Sequence, residues 1–128
     1  MESMTERMEK AGDALRRLHE VIVRDDLNEL ERDGLIQRFE FCFEILWKCG
    51  KDYLRDVEGL DAASPKKVIR MSREVGLLTD EETEQALEMA NDRNQTSHMY
   101  DEQMAIELVE RIKGYDALMQ RWYRKMKE

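Results

Sequence analysis

The run Asp92-Arg93-Asn94-Gln95-Thr96-Ser97-His98-Met99-Tyr100-Asp101 gathers an arginine, a histidine and a tyrosine within eight residues, between two strongly helical segments. These side chains bind phosphate, exchange protons near neutrality and offer a hydroxyl for modification. Asn94, Gln95, Thr96 and Ser97 compete with the backbone for hydrogen bonds and favour caps and turns, so the helix is expected to break here. On an unbroken helix Arg93 and His98, five positions apart, would point roughly 140° away from each other. A break allows them to converge.

The elements that must position this motif are read from length, charge and periodicity. A chain of 128 residues forms one domain, spanning 1–128, with a core of its own. It contains no run of eighteen apolar residues and no basic-then-apolar leader, so the expectation is a cytoplasmic protein that does not enter a membrane. A net charge of −8, with both signs interspersed, gives a self-repelling surface and argues against electrostatic coating of nucleic acid. Any RNA contact must then be local. Cys42 and Cys49, seven apart on one helix, have Cα atoms about 10 Å apart and are read as reduced core thiols rather than a disulfide.

Met4, Met8, Ala11, Leu15, Leu18 and Ile22 draw one apolar stripe on a first helix of about six turns. His19 borders that stripe and is read as a partly buried packing residue with a satisfied nitrogen. A loop near Asp25-Asp26 or Asp33-Gly34 precedes a second helix from about Leu35 to Val57. In that helix Phe39, Phe41, Cys42, Phe43, Ile45, Leu46 and Trp47 are apolar on nearly every side, so it must be buried broadly. Neighbouring helices in so small a domain do not cover such a surface, and a symmetric homodimer is expected. Glu40, Glu44 and Lys48 form one polar line through it. An i,i+4 charge ladder facing water is the commoner reading of such a line, and support of a polar pocket is the functional one.

Ser64-Pro65 opens a short third helix that Gly76 stops. Thr79-Asp80-Glu81-Glu82 is a capping box with acids at the positive helix end, opening a fourth helix to roughly Arg93. Asp101 caps the last helix, whose apolar spacing holds from Ala105 to Met126. No segment has period two, so the fold class is all-α, a five-helix up-and-down bundle. The chain has no Gly-rich phosphate loop, no Cys/His cluster at metal spacing, and no Gly-Ser followed by paired aspartates. It is not expected to bind a metal or to transfer nucleotides itself.

Arg93-x4-His98-x-Tyr100 resembles the signature of HEPN domains, specifically the HepT-like branch also called nucleotidyltransferase substrate-binding proteins. The stretch from Arg38 to Lys48, Lys51-Asp52-Tyr53-Leu54 and Ser64-Pro65-Lys66-Lys67-Val68-Ile69 resemble that branch's second and third helices, so the similarity runs from about Leu35 to Asp101. The resemblance implies a dimer with two Arg-His motifs facing one cleft, and a separate minimal nucleotidyltransferase as partner. In such toxin-antitoxin modules the HEPN chain is a metal-independent ribonuclease toxin. The partner, using ATP and magnesium, silences it by AMPylation of the motif tyrosine.

Carried onto this chain, Arg93 and His98 are catalytic and Tyr100 is the AMP acceptor or a phosphate-binding group. His98 is the group suited to take a 2′-hydroxyl proton, and the planar Arg93 guanidinium to hold a phosphorane. Asn94 shapes the turn, and Glu40, Glu44 and Lys48 are supporting residues. This chain itself needs no cofactor. Three alternatives stand beside this reading. Arg93 and His98 are caps paired to carboxylates such as Asp92 or Asp101; or the chain is a non-catalytic acceptor and partner-binding subunit; or it is a nucleotide-binding regulator.

Overall fold

The computed structural model describes residues 3–99 and 101–128. Five α-helices follow in order: α1 Met4–Ile22, α2 Glu29–Glu58, α3 Pro65–Glu74, α4 Asp80–Gln95 and α5 Glu102–Lys127, with a 3₁₀ turn at Thr96–His98 between α4 and α5. The all-α bundle is as the periodicity requires, and there is no strand among the described residues. No helix among them is long and apolar enough to cross a membrane.

Each helix begins where a short polar side chain satisfies an otherwise unpaired backbone N–H. Ser3 with Glu6, Asn28 with Glu31, and Thr79 with Glu82 form reciprocal capping boxes on α1, α2 and α4. Ser64 and Asp101 cap α3 and α5 through the N–H groups of Lys67 and Met104. The second helix starts six residues before the expected Leu35. The chain turns at Asp25-Asp26, where Asp26 takes φ +54°, and Asp33-Gly34 is helical. Asn28-x-x-Glu31 is the signal that marks this start.

Helix α1 packs along α2 and α5, α3 lies against α2 and α4, and α4 rests on α5. Trp122, Phe39, Phe43, Leu15, Leu18, Leu46, Met89 and Ile112 are fully buried between them. Packing is close at Gly50, where any Cβ would stand 2.7 Å from Val68 Cγ1 and 3.2 Å from Trp122 Cζ2. Cys42 and Cys49 are free and buried, and burial, with Asp116 and Cys49 nearby, pushes the Cys42 thiol up to about 12.

Two readings of side-chain placement are corrected. Helix α2 is not buried all round within one chain: Phe39, Cys42, Phe43 and Leu46 are inside, Ile45 and Trp47 are half-buried, and Phe41 is 59% exposed. His19 does satisfy a nitrogen, with Nδ1 2.8 Å from Asp116 Oδ2, but half of its side chain is exposed because it sits on the flank of the α1 stripe.

Candidate functional site

The helix breaks as expected, two residues later than placed. Arg93 remains in the last turn of α4, which ends at Gln95, and His98 closes the 3₁₀ turn on an exposed loop. Met99 is extended, and Asp101 then caps α5 through its Oδ1, 2.8 Å from the Met104 N–H. Tyr100 lies outside the described residues.

Arg93 projects onto the middle of α2. Its Nη1 lies 3.4 Å from Glu40 Oε2 and its Nε 3.6 Å from Glu44 Oε1. Nη1 also donates to Thr96 Oγ1 at 3.2 Å. The Thr96 hydroxyl in turn faces Glu40 Oε2 at 2.9 Å and the Arg93 carbonyl at 2.8 Å. The buried Nε has no hydrogen-bond partner among the described residues, since 3.6 Å to Glu44 is an ion-pair distance and not a hydrogen bond. Two carboxylates thus face one guanidinium that is only 28% exposed, and they fix its orientation from two successive turns of α2.

The polar line on α2 is therefore divided. Glu40 and Glu44 serve Arg93, with Glu44 also accepting from Trp47 Nε1 at 3.2 Å, and neither belongs to a water-facing ladder. Lys48, one turn further on, is exposed and outside this cluster. Asn94 is also elsewhere: it lines a separate cleft of about 270 Å³ with Phe43, Ser64, Pro65, Lys66 and Ala90.

The carboxylates flanking the motif do not hold Arg93. Asp92 Oδ2 accepts from Arg111 Nε at 3.0 Å and from the Tyr115 hydroxyl at 2.5 Å, tying the end of α4 to α5. Burial, followed by that bond to Asp92, keeps the Tyr115 phenol well above its ordinary value, so it stays a donor. Asp101 acts as a helix cap. Reading Arg93 as a residue paired with Asp92 or Asp101 is accordingly replaced by its pairing with Glu40 and Glu44.

Beyond Thr96 a second cleft, of about 340 Å³, opens between the start of α2, the turn and the start of α5, lined among others by Arg32, Ile36, Thr96, Met99 and Ala105. Arg32 is 13% exposed and donates to the Leu27 carbonyl at 2.9 Å and to Glu102 Oε1 at 2.7 Å. Thr96 and Arg32 are the residues that sequence reasoning missed. Thr96 was legible only as a turn former, and nothing local to Arg32 signals its burial. Among the described residues no three His, Cys, Asp or Glu side chains are grouped to hold a metal ion.

Comparison with known families and structures agrees with this architecture. The family model described as nucleotidyltransferase substrate binding protein like matches residues 6–128, extending beyond the Leu35–Asp101 stretch that carries the motif resemblance. A crystal structure of a Thermus thermophilus protein is 46% identical, with a TM-score of 0.89 over 92% of this chain and 99% of that one. YutE, a cytosolic Bacillus subtilis protein of unknown function, is 14% identical and shares the fold, with a TM-score of 0.78 over 94% of this chain and 85% of its own. Comparison with curated proteins finds no match.

Proposed function

The chain belongs to the nucleotidyltransferase substrate-binding protein-like family, and on that premise we propose that it is the toxin and acceptor subunit of a two-protein module, a metal-independent ribonuclease silenced by a separate minimal nucleotidyltransferase. The observation that carries this reading is the clamped guanidinium: Arg93 is held by Glu40, Glu44 and Thr96 at the lip of the turn that presents His98. A phosphate-binding arginine gains from being oriented in advance, because the cost of ordering it is met on folding.

In the reaction, His98 takes the proton of an RNA 2′-hydroxyl and the 2′ oxygen attacks the adjacent phosphorus. The 5′ oxygen departs and is protonated by solvent, leaving a 2′,3′-cyclic phosphate. Arg93 stabilises the charge that gathers on the phosphorane oxygens. Silencing is transfer of AMP from ATP to the Tyr100 hydroxyl with release of pyrophosphate, the partner supplying magnesium. The added phosphate repels RNA from the same turn.

Two copies are proposed to associate through α2. Phe41 is uncovered within one chain and stands on the rim of a cleft of about 440 Å³ that also contains Ala14, Arg17, Gly34, Gln37 and Arg38. Light scattering tests the association, with a monomeric mass opposing it.

The deciding experiment incubates bulk tRNA with wild type and with His98→Ala in EDTA. Cleavage by wild type alone, with cyclic-phosphate ends, establishes the ribonuclease. Absence of cleavage by protein whose intact mass shows no AMP would leave a non-catalytic acceptor subunit. Co-expression with an active nucleotidyltransferase should then add AMP to wild type and none to Tyr100→Phe.

A further inference from the structure

Asp92 and Arg93 are neighbours near the end of α4, and about 100° of helix separates their side chains. Arg93 faces Glu40 and Glu44 on α2, while Asp92 faces α5. There its Oδ2 accepts from the Tyr115 hydroxyl at 2.5 Å and from Arg111 Nε at 3.0 Å. The two donors differ in their surroundings. Arg111 is half-exposed, so water competes for it, whereas Tyr115 is buried.

Tyr115 reaches the same clamp from its other side as well. Its ring stacks on Phe39, with centroids 6.2 Å apart and planes inclined by 23°, and Phe39 is fully buried on α2 immediately before Glu40. One residue of α5 thus grips the neighbour of Arg93 through its hydroxyl and the neighbour of Glu40 through its ring. The end of α4 needs such support. Its cap residue Thr96 takes φ −60°, so no left-handed cap closes the helix, and side chains must set the rotation of the last turn. A twist of about 10° at the outer radius of a helix, about 5–6 Å, carries a side-chain end about 1 Å. A misplacement of that size costs up to about a hundredfold in rate.

We propose that Tyr115 is a positioning residue for Arg93, acting through the Asp92 carboxylate and the Phe39 ring to set the rotation of α4 against α2. Being buried, it touches no substrate itself. The placement of Arg93 is a property of the free chain, and its consequence for cleavage rests on the ribonuclease reading.

Tyr115→Phe removes the hydroxyl and keeps the ring, so it tests the bond without emptying the core. The first readout is exchange of the Arg93 Nε–H with water, followed by heteronuclear NMR on the purified full chain. That nitrogen is buried, and so is the Trp122 indole nitrogen, about two turns further along α5, which serves as the reference. Exchange at Arg93 should quicken at least about tenfold in Tyr115→Phe, while exchange at Trp122 changes by less than about twofold. Asp92→Ala should reproduce that pattern. A wild-type Arg93 signal that exchanges as fast as an exposed arginine's, an unchanged rate in Tyr115→Phe, or equal acceleration at Arg93 and Trp122 would each overturn the positioning role.

The second readout is tRNA cleavage, in which Tyr115→Phe should lower kcat by about tenfold or more and leave KM within about twofold. Exchange needs no RNA, so the two readings fail separately. Selective loss of protection at Arg93 in a chain that cleaves nothing keeps the positioning and removes the ribonuclease. Cleavage by Tyr115→Phe at the wild-type rate keeps the ribonuclease and removes the positioning.

Discussion

Thr96 Oγ1 lies 2.9 Å from Glu40 Oε2 and 3.2 Å from Arg93 Nη1, so one hydroxyl joins the turn after α4 to the middle of α2. Only a group that both donates and accepts can occupy that place. Its single hydrogen is shared between Glu40 and the Arg93 carbonyl, while its lone pair receives the guanidinium. Thr96→Val preserves the shape and removes both roles. Cleavage of tRNA should fall by roughly tenfold or more, and Thr96→Ser should restore most of it. Parallel rate measurements on the three proteins are the check, and an unchanged Val variant would mean that the carboxylates alone orient Arg93.

Arg93 is contacted through two different nitrogens, Nη1 towards Glu40 and Thr96 and Nε towards Glu44. A lysine ammonium is one point of charge and cannot reach both turns of α2 in that geometry. Arg93→Lys should therefore lose nearly as much cleavage as Arg93→Ala, on the order of a hundredfold or more. A lysine variant within a few-fold of wild type would reduce the role of Arg93 to that of a simple counter-charge.

Much of this arrangement is legible in the sequence. The capping residues Ser64, Thr79 and Asp101 stand where their short polar side chains demand, because capping is a local interaction that leaves its mark within four residues. The break after Arg93 is legible for the same reason. The clamp is only half visible: Glu40 and Glu44 share a face by spacing alone, but that this face meets Arg93, far along the chain, depends on how α4 packs on α2. The burial of Arg32 and the exposure of Phe41 are likewise tertiary outcomes. Residue type argues against both, and only the neighbours decide.

Gly50 and Gly114 separate helix propensity from packing. A Cβ on Gly114 meets nothing within 4 Å, so Gly114→Ala should stabilise the protein by about 0.5–1 kcal/mol through the lower entropy of its unfolded chain. Gly50→Ala gains the same propensity but drives a methyl to 2.7 Å from Val68 Cγ1 beside the buried Trp122 ring. Overpacking of this kind costs about 1–3 kcal/mol, which outweighs the gain. Urea midpoints should move in opposite directions for the two variants, and a stabilised Gly50→Ala would show that Val68 can retreat freely.

Glu82 gives the fold a specific acid sensitivity. Burial raises its carboxyl, but the Thr79 N–H at 2.9 Å, the Thr79 side chain and Arg121 Nε at 2.7 Å outweigh burial and hold it below its ordinary 4.5. Glu31 is lowered too, chiefly by the Asn28 N–H, against the opposing effect of burial and with further help from Arg24. A carboxyl that is more acidic folded than unfolded contributes stability that is complete above the unfolded value and is lost as pH falls through the folded one. Wild type should therefore hold its thermal midpoint from about pH 7 to about 5 and lose stability below about 4.5. Glu82→Gln keeps the reciprocal cap but has no charge to titrate. Its midpoint should lie below wild type at about pH 7 and the gap should narrow as pH falls below 4.5, whereas a gap of constant size over that range would assign the contribution of Glu82 to shape and not to its charge.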